Sequence, residues 1–440
     1  MSAPPRPAPI RVLRRRAARA ALRWRRRAVF WLGAVATGAV AVLFAWGSDR
    51  ALQLWQLAAG HWQAWRWLAP AAVLATVAWL TRTLFRGAQG SGIPQTIAAL
   101  RLQLPAERDA LLSLRIAAGK LLLTMLALAG GASVGREGPT VQVGASIMHS
   151  LRRFARFSRM DVDRGLILAG GAAGVAAAFN TPLAGIVFAL EELSRSFEER
   201  TSGTLLMAVI LAGVTSVVLA GNYTYFGISQ ATLPTPAAWL AVPVCGVAGG
   251  LAGGLFARAM LSMARGLPGR MGDWQLRRPL AFAAACGLCL ALLGWLADGT
   301  TFGTGYAQAR AIVQHDALPL HGFAVFKALA TLVSYVAGIP GGIFAPSLAV
   351  GAALGGELAP WLPMAPAGAM AVLTMAAYFA GVVQAPLTAL VIVTEMTGNR
   401  SLTLPLMGAA LIGRATSALL CRASLYRSLA EQFLPRPSRS

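Results

Sequence analysis

Charged positions are missing from long stretches of this chain. No Asp, Glu, Lys or Arg falls in 28–47, 165–190, 201–257, 328–356 or 358–394. A bilayer crossing needs about 20 apolar residues in helical form, so these tracts hold several crossings, and around ten or more membrane helices are expected. Gly and Pro interrupt many of the tracts (47 Gly, 24 Pro). Broken backbone survives at membrane depth only where protein or a watery cavity satisfies the freed polar groups. The pattern predicts an all-α polytopic membrane protein of many helices, partly broken and tilted, an architecture that suits transport better than anchoring.

The tracts repeat. Lys120–Ser146 lies over Lys327–Ala353 at an offset of 207, which pairs Lys120 with Lys327, Pro139 with Pro346 and Gly144 with Gly351. Asn180–Glu191 lies over Gln384–Glu395 at an offset of 204, pairing Pro182 with Pro386 and Glu191 with Glu395. A weaker pair sets Gly90-Ser91-Gly92 over Gly303-Thr304-Gly305. Three matches in one order divide the chain into a basic segment 1–27, a first half 28–225, a connector 226–235, a second half 236–430 and a short tail 431–440. Repeated halves often build a site between them near the bilayer midplane. The residues alone leave open whether the halves are parallel or inverted.

Composition agrees: 56% of residues are hydrophobic and 12% charged, against roughly 25% charged in an average soluble domain. That excludes a soluble enzyme, a disordered chain and a nucleic-acid-binding domain, despite a net charge of +23. Much of the excess lies in the arginine block Arg6 to Arg27, directly before the apolar tract 28–47. The positive-inside rule puts this block in the cytoplasm, against anionic lipid. A cleaved signal peptide is the competing reading, but the tract is longer than a signal core of about 7–15 residues and no clear cleavage site follows. Cys286 and Cys289 form a C-x-x-C inside the apolar tract 279–297 and read as small buried thiols of a membrane helix. The histidines, His61, His149, His315 and His321, lack metal spacing.

Each half also carries Gly/Pro breaks that open apolar helices. These are Gly90-Ser91-Gly92-Ile93-Pro94, Gly135-Arg136-Glu137-Gly138-Pro139 and Gly341-Gly342-Ile343-Phe344-Ala345-Pro346. Glycine permits the tight turn and proline suits the first helical turn. The result is a set of helix N-termini, each with free N–H groups and roughly +0.5 charge, that attract anions. Such ends bind an anion without a full positive charge, which would slow its passage.

These three motifs, in this order and with the repeat, resemble the CLC family of chloride channels and chloride/proton antiporters over about residues 28–430. The resemblance implies an inverted repeat, and a homodimer with a separate pathway in each subunit. It implies that the Ser91 hydroxyl and the backbone N–H groups of Ile343 and Phe344 hold a dehydrated chloride. Tyr426 is similar to the family tyrosine that closes the site from inside, although Ser424 stands where relatives have proline. Serine at position 91 fits chloride over nitrate. Gln95 stands where many relatives have glutamate, with a modest effect on local pairing expected. Many relatives carry regulatory nucleotide-binding domains; only residues 427–440 follow Tyr426 here, so none is expected. No cofactor and no metal are implied, and a bacterial inner membrane suits the composition.

Glu137 is the most informative acid. An intramembrane carboxylate is costly and is a functional-site hypothesis by default. Ionised, it occupies an anion site at a helix N-terminus; protonated, it loses that attraction and swings away, so proton and chloride binding are linked. A salt bridge to Arg136 is the bland alternative. Glu192 falls 55 residues after Glu137, where antiporter relatives carry an inner proton-transfer glutamate; its bland reading is a solvated carboxylate at a helix end. Glu395 reads as structural, holding the end of its helix, and Asp161 and Asp163 read as solvated. The leading reading is a secondary transporter exchanging chloride for protons; the alternative is a passive gated chloride channel of the same fold. A membrane-embedded enzyme would need a nucleophile–base set or an H-E-x-x-H, and neither is present.

Overall fold

The computed structural model describes residues 10–155, 160–194, 199–315, 321–363 and 365–435. Arg6, residues 436–440 of the tail and the side chains of Asp161 and His315 lie outside the described residues. Helices carry nearly all of the described chain, and among the described residues the only β-type pairings are two isolated bridges, Gly90 with Pro340 and Gly135 with Gly342. Among the described residues, five segments are long and apolar enough to cross a membrane: Arg27–His61, Pro105–Ala129, Pro236–Arg265, Pro279–Leu296 and Thr403–Leu420. Others stop short. Pro386–Thr397 has 12 residues, and at ~1.5 Å per residue it reaches only about halfway across a hydrocarbon core.

The apolar tract 28–47 sits inside one long helix, Ile10–His61, which packs against Met160–Phe179 and Glu199–Ala220. It is an integral element of the fold. At the centre, Ala367–Val383 is buried from Gly368 through Val383. It is enclosed by Ala241–Arg265, Phe344–Leu358 and Thr403–Leu420. Small residues let these backbones approach closely, as helices do where lipid supplies no hydrophobic drive. A Cβ on Gly351 would come within 2.6 Å of the Met375 Cα. Its repeat mate, Gly144, faces Gly170 in the same way.

The repeat is present in detail. Asn180 and Gln384, mates at offset 204, both adopt positive φ (57° and 62°) just before the prolines that open Pro182–Phe188 and Pro386–Thr397. The two lysines are buried and equivalent: Lys120 Nζ donates to the carbonyls of Gln89 and Gly90 (3.2 and 2.8 Å), Lys327 Nζ to those of Thr301 and Gly303 (both 2.7 Å). Glu191 Oε1 and Oε2 accept from the N–H groups of Leu387 and Thr388 (3.2 and 2.6 Å). Glu395 accepts from Leu183 and Ala184 at the same distances, 3.2 and 2.6 Å. The end of each helix thus meets the start of the other, so the two run antiparallel, as an inverted repeat requires. Glu395 is structural as expected, but it holds the start of the facing helix and not the end of its own.

Two readings of the sequence are corrected. Asp163 is not solvated. Arg108 Nη1 donates to it at 2.7 Å, and both residues are buried. His149 lies between Asp163 and Asp109, with ring nitrogens 2.9 and 3.0 Å from their carboxylates. Arg152 Nη2 donates to Asp109 at 2.6 Å. Chain segments on both sides of the Glu137–Ser150 helix bring these charges together, which local composition does not reveal. Cys289 of the C-x-x-C is exposed on the outer face of its helix, while Cys286 is buried; both are free thiols.

Candidate functional site

Three of the broken turns converge. Gly90 precedes Ile93–Arg101, Gly135 precedes Glu137–Ser150, and Gly342 precedes Phe344–Leu358. Gly135 and Gly342, mates at offset 207, exchange both backbone hydrogen bonds (2.6 and 2.7 Å). Gly90 N–H donates to the Ile339 carbonyl at 3.0 Å and its own carbonyl accepts from Gly341 N–H at 3.1 Å. Gly92, with φ +99°, needs glycine on two grounds: the left-handed turn, and the Gly138 carbonyl that a Cβ would meet at 3.0 Å. Pro94, Pro139 and Pro346 all fall in the first turns of these helices, where no amide hydrogen is needed.

Around this junction the chain places Ser91, Ile343, Phe344 and Tyr426, all buried. The helix Leu425–Ala430 packs against Ile93–Arg101 and brings the Tyr426 hydroxyl beside that of Ser91. No hydrogen bond within the described protein takes up either hydroxyl. A Cβ on Gly138 would run into the Ser91 hydroxyl, so glycine there leaves room for it. Ile343 and Phe344 stand at the first turn of Phe344–Leu358, where N–H groups have no acceptor within the helix. The Phe344 ring packs on Phe379 (centroids 4.2 Å apart), Phe179 (5.0 Å) and Phe188 (6.3 Å), which fixes that turn.

Glu137 opens its helix on the same junction and is buried. The Tyr225 hydroxyl donates to its Oε1 at 3.0 Å. Its carboxylate also lies at the backbone N–H of Ala345, on the facing helix of the other half. Arg136 points elsewhere: its Nη1 donates to the Ala45 carbonyl at 2.8 Å and to Asp49 Oδ1 at 2.6 Å. The bland pairing of Glu137 with Arg136 is therefore not what the side chain does. A cavity of about 90 Å³ beside this point is lined by Asp49, Gln56, Arg136, Tyr225, Tyr306 and Gln308, among others.

Glu192 is buried, unlike a solvated helix-end carboxylate. It lies on a π-helical segment, Ala189–Ser194, that continues Pro182–Phe188. Irregular turns of this type are frequent at functional sites. Ser424 Oγ donates to its Oε1 at 3.0 Å, and Arg427 Nη2 to its main-chain carbonyl at 3.1 Å. Gln95 Nε2 donates to the Gln89 carbonyl at 2.6 Å, which steadies the turn before Gly90.

Sequence reading did not find Tyr225, Ser424 as a partner of Glu192, or the pegging role of the lysines. Tyr225 ends the first half in the polar stretch 221–236, yet it is buried, and its neighbour Phe226 donates to the Met396 carbonyl at 2.8 Å. The available signal was a tyrosine pair, Tyr223 and Tyr225, in a chain with 6 tyrosines.

Helix starts thus converge on buried hydroxyls with a buried carboxylate beside them, in a helical fold with segments long and apolar enough to cross a membrane. The family model described as voltage gated chloride channel matches residues 72–418, and the chain belongs to that family. Its members are transport proteins and not enzymes. Among solved structures, a slow cyanobacterial Cl-/H+ antiporter is 27% identical with a TM-score of 0.79, covering 94% of this chain and 98% of its own. A CLC-type fluoride/proton antiporter shares the fold at 24% identity and TM-score 0.76, with 91% and 96% covered. A eukaryotic CLC transporter does so at 22% identity and TM-score 0.73, with 95% and 77% covered.

Proposed function

We propose that this protein is a secondary active transporter exchanging chloride for protons. The observation that carries the reading is the pair of buried hydroxyls, Ser91 and Tyr426, with no partner in the described protein at a convergence of helix starts. An unpaired buried hydroxyl costs about 1–3 kcal/mol, so two together call for a ligand that both can donate to. A dehydrated chloride fits. The N–H groups of Ile343 and Phe344 complete its shell, while Gly90, Gly92, Gly135, Gly138, Gly342, Pro94, Pro139 and Pro346 shape the turns. No full positive charge competes there: Arg136 is held by Asp49, and each lysine by two carbonyls. Chloride is held by dipoles and is free to leave.

Glu137 then acts as the gate. Its ionised carboxylate, lying at the Ala345 N–H, competes with the anion for a helix N-terminus; protonation removes the competition. Linkage makes the effect mutual: chloride that binds tenfold better to the protonated form shifts the gate by about one pH unit. Glu192, buried below on the π segment, serves as the inner proton-transfer group. The 27% identical relative is described as a Cl-/H+ antiporter, which supports exchange over passive flow. In this reading the arginine-rich N-terminus is cytoplasmic, the membrane is the bacterial inner membrane, and two copies associate as a homodimer.

The test is proton movement in liposomes holding the purified protein under a chloride gradient, with the voltage clamped near zero. Chloride flow should drive protons uphill, and Glu192→Gln should stop the protons while chloride still moves. Rapid chloride flux without any proton movement would make the protein a passive channel.

A further inference from the structure

The geometry points to Tyr225 as the latch of the gate: its hydroxyl holds the ionised Glu137 carboxylate in the anion path and must let go in every transport cycle. This rests on Glu137 being the gate. Tyr225 belongs to none of the three converging helix starts. It comes from the loop that ends the first half, and donates to Glu137 Oε1 at 3.0 Å.

The donor is fixed before the carboxylate arrives. The Tyr225 ring is buried and makes edge contacts with Tyr306 (4.9 Å between centroids), Phe226 (5.0 Å) and Phe179 (5.5 Å). The Arg136 guanidinium lies 6.0 Å from its centroid, and the following residue is pinned to the Met396 carbonyl. A donor locked by packing loses little rotamer freedom when it bonds. Its bond is also selective for one state of the gate. Hydrogen bonds to an ionised acceptor are about twice as strong as neutral ones. Tyr225 therefore favours the ionised, path-filling carboxylate over the protonated one that has swung away. Other ionisable groups face Glu137: Arg136 beside it, Asp49 beyond, Tyr223 from the same segment, Tyr306 across the Tyr225 ring, and Tyr426 from the far side of the junction. Among the described residues, none of these donates a side-chain hydrogen bond to its carboxylate.

Tyr225→Phe removes one oxygen and keeps the ring packing. Loss of a bond that favours the ionised gate lets protonation occur at higher pH. The acid-activation midpoint of chloride flux should move up by about half a unit to one unit, and flux above the midpoint should rise roughly three- to tenfold. Site-specific replacement by 3-fluorotyrosine, a stronger donor, should move the midpoint down. A purely structural role would give no such opposed pair of shifts. In a Glu137→Gln background, where the gate cannot ionise, Tyr225→Phe should add nothing to the chloride rate. An unchanged midpoint in both Tyr225 variants overturns the latch, and leaves the gate standing if Glu137→Gln abolishes proton coupling. If Glu137→Gln still exchanges protons, the gate reading itself fails.

Discussion

Ser424 donates its hydroxyl to Glu192 at 3.0 Å, across 232 positions of sequence. The bond joins the π-helical segment of the first half to the turn just before Tyr426, the residue proposed to close the junction. It couples a carboxylate proposed to carry protons to the wall of the proposed chloride site. Replacing Ser424 with alanine removes a donor to Glu192 at a cost of ~1 kcal/mol, about fivefold in a step that needs Glu192 in place. Proton transport in liposomes is expected to fall by about that factor while the chloride rate holds. An equal fall in both fluxes would show that Ser424 supports the fold and not the proton route.

Gly138 carries no side chain because the Ser91 hydroxyl occupies that space, and a Cβ would also lie 2.9 Å from the Ser91 carbonyl. Gly138→Ala should displace Ser91 and weaken chloride binding tenfold or more, an effect of about 1.4 kcal/mol. Isothermal titration of the detergent-solubilised protein reads this directly. Unchanged affinity would remove Ser91 from the chloride site.

Glu191 caps the first turn of Pro386–Thr397, which holds Glu395, and Glu395 caps the first turn of Pro182–Phe188, which runs on into Glu191, so each carries charge-assisted bonds between the halves. Glu395→Gln or Glu191→Gln should each cost about 1–2 kcal/mol, in line with the loss of a helix cap and its dipole interaction. Thermal unfolding in detergent should show a fall of several degrees for each, with proton coupling intact in the protein that remains folded. Loss of coupling without loss of stability would move Glu191 into the proton route beside Glu192.

His149→Ala removes one partner of Asp163 and of Asp109, while Arg152 still reaches both (2.6 Å to Asp109, 3.9 Å to Asp163) and Arg108 still pairs with Asp163. Losing a buried hydrogen-bond partner typically costs about 1–3 kcal/mol. The expected outcome is a fall of several degrees in thermal stability with no change in chloride selectivity. A variant as stable as the native protein would mean that the Arg108–Asp163 pair holds this corner alone.

The charge-free tracts and the repeat were enough to expect the helices, the two halves and the three broken turns. Glycine and proline act on their own backbone, so Gly92 and Pro139 are readable where they stand. Glu137 was legible because a carboxylate in apolar surroundings has few harmless explanations. Tyr225, Ser424 and the His149 network were not legible. Each owes its role to a partner at least 14 positions away, and in the case of Ser424 in the opposite half. Antiparallel orientation of the halves also became visible only when the carboxylates of Glu191 and Glu395 were seen to reach across.

The backbone exchange between Gly135 and Gly342 sets a mechanical limit. Pulling the halves apart would expose two N–H and two C=O groups at the heart of the molecule, at several kcal/mol each where water is scarce. A carrier that rocked its halves would do so on every turn of its cycle. On the proposed mechanism this frame stays shut, and what alternates is a moving part no larger than the Glu137 side chain. A covalent tether stapling one half to the other should leave such a machine running at full speed.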